Sequence, residues 1–141
     1  MRQIHSDAYG ALELEESQIY SFEKGILGIP DTHSYALLPM ADTPFFILHA
    51  LEEQISFVLL PAHDAIREYS FQIDEDIIDS LMLNSPEDAA VMLIVNIQQE
   101  ELFVNLMAPV LLSPLSMKGC QYVIKDQELS MRYPLLTKGE K

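Results

Sequence analysis

The residues of this chain that could do chemistry are its four histidines, its one cysteine and several adjacent carboxylates, and none stands at a catalytic or ligating spacing. His63-Asp64 has the composition of a general-base dyad. Neighbours on a strand or in a turn point in different directions, however, and no Ser or Cys lies in an elbow such as G-x-S-x-G to receive an activated base. His5, His33 and His49 are scattered singly, without the i, i+4 pair or the Cys/His cluster of a zinc site, and read as surface or half-buried histidines. Glu15-Glu16, Glu52-Glu53 and Glu100-Glu101 fall in expected turns, where solvent keeps both members ionised and neither is held back as an acid. Asp74-Glu75-Asp76 lacks the flanking spacing of a calcium loop. Cys120 has no second thiol for a disulfide, a redox pair or a zinc set, which fits a reducing compartment. These residues imply no enzyme, no metal and no cofactor.

Charge says more. Against 22 Asp and Glu there are 8 Lys and Arg, a formal charge of −14 in 141 residues. Between residues 25 and 117 the only base is Arg67. Such a chain repels phosphate backbones, so direct nucleic-acid binding is not expected, and the negative charge serves either solubility or the recognition of a basic protein partner. Lys24-Gly25-Ile26-Leu27-Gly28 contains the G-x-x-G of a nucleotide-clamping loop but lacks basic flanks beyond Lys24. It is better explained as a tight turn in which both glycines take positive φ. No apolar run approaches the length of a membrane span or a signal peptide, so the expected location is the cytoplasm.

The elements that must position these residues are mostly short strands. Apolar runs rich in Val, Ile, Phe and Tyr recur at Ala11 to Leu14, Ile19 to Phe22, Tyr35 to Met40, Phe45 to Leu51, Ile55 to Leu60, Val91 to Ile97, Leu102 to Leu106, Val110 to Leu112, Tyr122 to Ile124 and Leu129 to Tyr133. Two hairpins are expected, one turning at Gln98-Gln99-Glu100-Glu101 and one at Asp126-Gln127-Glu128, the latter pairing Gln121 to Lys125 with the last strand. From Asp74, the spacing of Ile77, Ile78, Leu81 and Met82 predicts a short helix. Asp74 is its N-cap, Glu75 and Asp76 sit in the first turn, Ile73 staples onto Ile78, and Asn84-Ser85-Pro86 ends it. The economical architecture is a mostly β, antiparallel barrel-like single domain over residues 1–141, with one short helix covering an opening. From the 130s onward a frayed tail is expected after the last strand.

Several strings also resemble one family. Phe22-Glu23-Lys24-Gly25-Ile26-Leu27-Gly28 is similar to the F-x-x-G-I-x-G turn of the FliW family of flagellar assembly factors. Thr43-Pro44-Phe45-Phe46 with Leu48 resembles its P-F-x-x-L strand, and Phe57-Val58-Leu59-Leu60-Pro61 its F-V-x-x-x-P strand. Asn105-Leu106-Met107-Ala108-Pro109-Val110 resembles the N-L-x-A-P-I/V signature, and Gly119 to Ile124 and Arg132 to Leu135 match the closing patterns. Ile29 and Ser113 depart from the family's usual aromatic and Asn.

The resemblance implies a non-catalytic β-barrel-like protein that binds flagellin and antagonises the RNA-binding translational regulator CsrA, relieving repression of flagellin translation by partner switching. An export chaperone for flagellin that ignores the regulator is the alternative. The acids around the short helix, Asp74, Glu75, Asp76, Asp79, Glu87 and Asp88, are the expected regulator-facing charge. Phe22, Gly25, Gly28, Asn105 and Pro109 of the family motifs are expected to be structural. The groove that would take flagellin is not legible in the sequence.

Overall fold

The computed structural model of the chain describes residues 2–26 and 28–135. In chain order its strands are β1 (Arg2–Ser6), β2 (Gly10–Leu14), β3 (Ile19–Ser21), β4 (Ser34–Pro39), β5 (Phe46–Ala50), β6 (Ser56–Pro61), β7 (Ala90–Gln98), β8 (Glu101–Val104), β9 (Val110–Ser113), β10 (Lys118–Gln121) and β11 (Tyr133–Pro134). Two short helices, α1 (Ala62–Ala65) and α2 (Glu75–Ser80), lie between β6 and β7. Seven strands close into a barrel in the order β3, β4, β5, β6, β7, β9, β10 and back to β3. All neighbours are antiparallel except β10 and β3, which meet in parallel at Lys118 and Ser21. Besides β6, β7 serves two further partners, giving Ala90 to Met92 to β9 and Val95 to Gln98 to β8.

Side-chain alternation explains why these strands read as nearly continuous apolar runs: the barrel wall is covered on both faces. One set fills the lumen, including Tyr35 of β4, Leu48 and Ala50 of β5, Leu59 of β6, Met92 of β7, and Val110 and Leu112 of β9. The intervening residues point outward under three covers. The β1–β2 hairpin lies over Ala36 and Leu38. β8 and the chain leading into β11 cover Leu60, Leu93 and Val95. The segment containing α2 covers Leu111. At one end of the lumen the ring of Tyr35 meets Phe22 edge-on at 5.2 Å and Phe57 at 6.4 Å, and Ile26 is buried with them.

The hydroxyl of Tyr35 is buried in this packing without a hydrogen-bond partner among the described residues, and burial pushes its phenol pKa up. An unpaired buried hydroxyl opposes folding, so Tyr35→Phe is expected to leave stability unchanged or raise it by up to about 1 kcal/mol. Urea melts of the two proteins check this.

The hairpin at Gln98 to Glu101 forms as expected, with Gln99 and Glu100 both at positive φ, 52° and 68°, as a two-residue turn of this hand requires. Other expectations are corrected. β1 pairs with β2 although its polar sequence gives no apolar run. α2 packs on the outer wall at Leu111 and covers no opening. A second helix, α1, holds His63 and Asp64. The Asp126-Gln127-Glu128 hairpin does not form: β11 pairs with β8, and Met131 of the expected final strand is 66% exposed.

Tyr122 to Ile124 is not a strand either, for a reason visible in the partner segment. The N–H groups of Tyr122 and Ile124 donate to the carbonyls of Pro109 and Met107 at 2.9 and 2.8 Å. Pro109 has no N–H to return, and the N–H of Met107 donates instead to Asn105 Oδ1 at 2.9 Å. The ladder therefore stops at Gln121. Of the expected tail, Tyr133–Pro134 is strand β11, and residues 136–141 lie outside the described residues.

α2 starts where expected, at Asp74, whose backbone is extended but whose side chain makes no capping bond. It stops earlier, at Ser80. The Met82 N–H donates to Asp79 O and the Leu83 N–H to Ile78 O, a Schellman closure with Met82 in the left-handed position at φ 58°. Glycine holds that conformation without strain, and Met82 is 63% exposed with little packing to lose. Met82→Gly is expected to raise the urea midpoint, with a gain of about 0.5–1 kcal/mol.

Candidate functional site

Two surfaces stand out. The first is the outer segment from Asp74 to Asp88. Ile77, Ile78, Leu81 and Leu83 hold it against Leu111, which turns its polar positions to solvent. Asp74, Glu75, Asp76, Asp79 and Glu87 are exposed, and Asp88 is half-buried, its carboxylate accepting the N–H of Ser85 at 3.2 Å. The structure thus brings all six predicted acids onto one short stretch of surface. None of them forms an ion pair with a base of the described residues; of the two lysines that share a cleft with Asp76, Lys24 and Lys118, the second pairs with Glu23 at 3.4 Å.

The second surface is the open mouth of the barrel, opposite the end filled by Phe22, Tyr35 and Phe57. A cavity of about 590 Å³ lies there. Tyr20, Leu37, Phe46, Met92 and Leu112 form its floor, with α1 and the Ile66 to Phe71 segment at its side. Arg67 is the permanent charge in its lining, with His63 beside it, and no carboxylate lines it. Tyr69 is anchored beside it by donating its hydroxyl to Leu106 O, and burial pushes its phenol pKa up. The mouth and the acidic segment share a border, since Phe71, Ala89 and Val91 line the one and pack beneath the other.

Sequence reasoning missed the mouth because its lining comes from β3, β4, β5, β6, β7, β9 and a loop, which only barrel closure brings together. The lone base Arg67 in an acidic stretch was the one signal available.

The motif residues lie elsewhere. Phe22 is fully buried in the lumen. Gly25 and Gly28 have φ of 66° and 87°; Gly25 precedes, and Gly28 lies within, a turn in which Ile29 N–H donates to Ile26 O at 2.7 Å and Ile26 N–H to Ile29 O at 3.3 Å. Asn105 and Pro109 shape the segment entering β9, as described above. His49 is not the surface or half-buried residue expected but is 2% exposed. Its Nδ1–H donates to Ala50 O at 2.7 Å, and Nε2 accepts from Ser6 Oγ at 2.9 Å. Ser6 Oγ in turn accepts the N–H groups of Ala8 and Tyr9. The histidine is a fastener between β5 and the N-terminal hairpin. Burial pushes the Cys120 thiol up to about 11 against the opposing pull of Lys24, so it stays protonated and unreactive near neutral pH. His63 Nε2 lies 3.7 Å from Asp64 on α1, both side chains open to solvent. Among the described residues no group of three or more His, Cys, Asp or Glu is gathered to hold a metal, and no helix is long and apolar enough to cross a membrane.

Comparison with known proteins agrees with this architecture. A crystal structure of the flagellar assembly factor FliW superposes with a TM-score of 0.87 over 98% of this chain and 99% of its own, at 24% identity, which speaks to the fold. The flagellar assembly factor FliW of Caldicellulosiruptor saccharolyticus is 32% identical over 94% of this chain and 89% of its own length. That of Bacillus subtilis is 28% identical over 94% and 95%. The FliW protein family model matches residues 3–135, nearly the whole barrel and its covers, and the chain therefore belongs to the FliW family of flagellar assembly factors.

Proposed function

We propose that this protein acts as a single domain in the cytoplasm, binding a CsrA-type translational regulator through its acidic outer segment and flagellin through its barrel mouth. While flagellin is abundant it occupies the factor and the regulator represses; once flagellin is exported the factor is released and inhibits the regulator. The observation that carries this reading is the cluster of mostly exposed acids, none in an ion pair with a base of the described residues, fixed to the barrel wall. Held by Ile77, Ile78, Leu81 and Leu83, these charges need little ordering on binding and would steer a basic partner. Once docked, their field opposes RNA phosphates on the same regulator. Linkage then requires RNA to weaken factor binding by the same factor.

The test is a calorimetric titration with the cognate regulator at low and moderate salt. The wild type is expected to bind, more weakly as salt rises. A variant combining Asp74→Asn, Glu75→Gln, Asp76→Asn, Asp79→Asn and Glu87→Gln is expected to bind at least roughly tenfold more weakly, with a flatter salt dependence. Unchanged affinity in that variant removes the acidic segment from the interface. A wild type that binds flagellin but never the regulator leaves the export-chaperone reading in place, which the apolar mouth alone would support.

A further inference from the structure

The mouth differs in charge from the smaller clefts on the described surface, each of which is lined by at least one carboxylate. In a chain of charge −14, it is lined by one permanent cation and by no carboxylate. Arg67 is exposed there and forms no ion pair with the described residues, although acids outnumber bases throughout its neighbourhood in the sequence. The floor beneath it is apolar, and its volume of about 590 Å³ falls within the range typical of sites that take apolar groups. The lumen below is filled by Phe22, Ile26 and Tyr35, so there is no tunnel for a long acyl chain to thread. What the mouth accepts is a set of side chains laid across it.

We propose that the mouth is the seat of an amphipathic polypeptide segment that buries apolar side chains on Leu37, Phe46, Met92 and Leu112 and brings a carboxylate to Arg67. This deepens, and rests on, the reading that flagellin occupies the mouth: it specifies that the recognised flagellin segment is apolar on one face and acidic at its edge. The charge logic is selective. Between residues 25 and 117 acids outnumber bases fourteen to one, so along that stretch of chain Arg67 is the one basic side chain that can draw an acidic segment to the apolar floor. It also separates the partners by chemistry, because a basic regulator gains nothing from Arg67.

The experiment is calorimetric titration of the full-length protein and three variants with purified flagellin, and separately with the regulator. Arg67→Gln is expected to weaken flagellin binding roughly tenfold and to flatten its salt dependence. Arg67→Glu should weaken it further, and Arg67→Lys should keep part of the affinity. Ala90→Trp, which places an indole at the exposed lining of the mouth, should abolish flagellin binding. All variants should melt like the wild type and bind the regulator no more weakly. If flagellin binds the wild type and both Arg67→Glu and Ala90→Trp with equal affinity, the mouth is not the seat and the inference falls, while flagellin binding itself stands. If Ala90→Trp blocks binding but the Arg67 variants do not weaken it, the acidic half of the proposal is wrong. If flagellin fails to bind the wild type, the underlying reading fails and the proposed occupant with it.

Discussion

Phe22→Ala is expected to lower the unfolding free energy by about 3–5 kcal/mol, the range for deleting a fully buried aromatic side chain. Phe22 is 0% exposed, and its ring stands edge-on to Tyr35 and within the lumen cluster of Ile26, Leu48 and Leu112. The site cannot collapse to fill the gap. Gly119 on the neighbouring strand is already so close that a Cβ there would lie 2.6 Å from the Phe22 ring, so the wall is drawn tight around this one side chain. A cavity in a closed barrel wall stays open because seven hydrogen-bonded strands would have to move together. The loss should appear as a lower urea midpoint at unchanged slope. A full loss of cooperativity would show instead that Phe22 organises the lumen as a whole.

The second large effect is expected at Gly25. Its φ of 66° strains any residue with a Cβ, and that Cβ would lie 2.5 Å from Ile29 O and 2.7 Å from Pro30 Cα. Both are backbone atoms, so no rotamer change relieves the overlap. Adding the left-handed strain to a forced backbone shift, Gly25→Ala should cost about 3 kcal/mol. Gly28 is the internal control. It too has a positive φ, 87°, but open space around its Cβ position, so Gly28→Ala should cost only the conformational strain, about 1 kcal/mol. Denaturation of the two variants side by side separates the two causes. Equal losses would mean that φ alone, and not the close approach of Pro30, selects glycine at position 25.

Most of the barrel was legible because a wall buried on both faces writes itself as continuous apolar runs, and eight of those runs coincide with strands β2 to β9. The failures have physical causes. β1 has the sequence Arg-Gln-Ile-His-Ser, with a single apolar side chain, and is held by its partner β2 and by the Ser6–His49 hydrogen bond from outside the hairpin. The Leu129 to Tyr133 alternation looked like a strand, yet the Leu106 N–H takes the carbonyl of Ser130, and Arg132 is drawn away to lie 4.0 Å over the Phe103 ring with its Nε donating to Gln98. Those partners sit far away in sequence. The acidic segment was readable because its acids are contiguous. The mouth was not, because Tyr20, Leu37, Phe46, Met92 and Leu112 become neighbours only when the ring closes.

That closure depends on one narrow junction. β3 and β10 come from opposite thirds of the chain and meet in parallel at the single pair Lys118 and Ser21, reinforced by the Ser21 N–H bond to Met117 O at 2.9 Å. Every other joint of the ring is a ladder of three or more antiparallel pairs. The barrel is thus a bracelet with one small clasp. Contacts between segments so distant form last in folding, and a joint with so few bonds is the first to open. Amide protons of β3 and β10 should exchange well before those of β5 and β6, and any stretch or swap of the ring between two copies should begin by undoing the clasp.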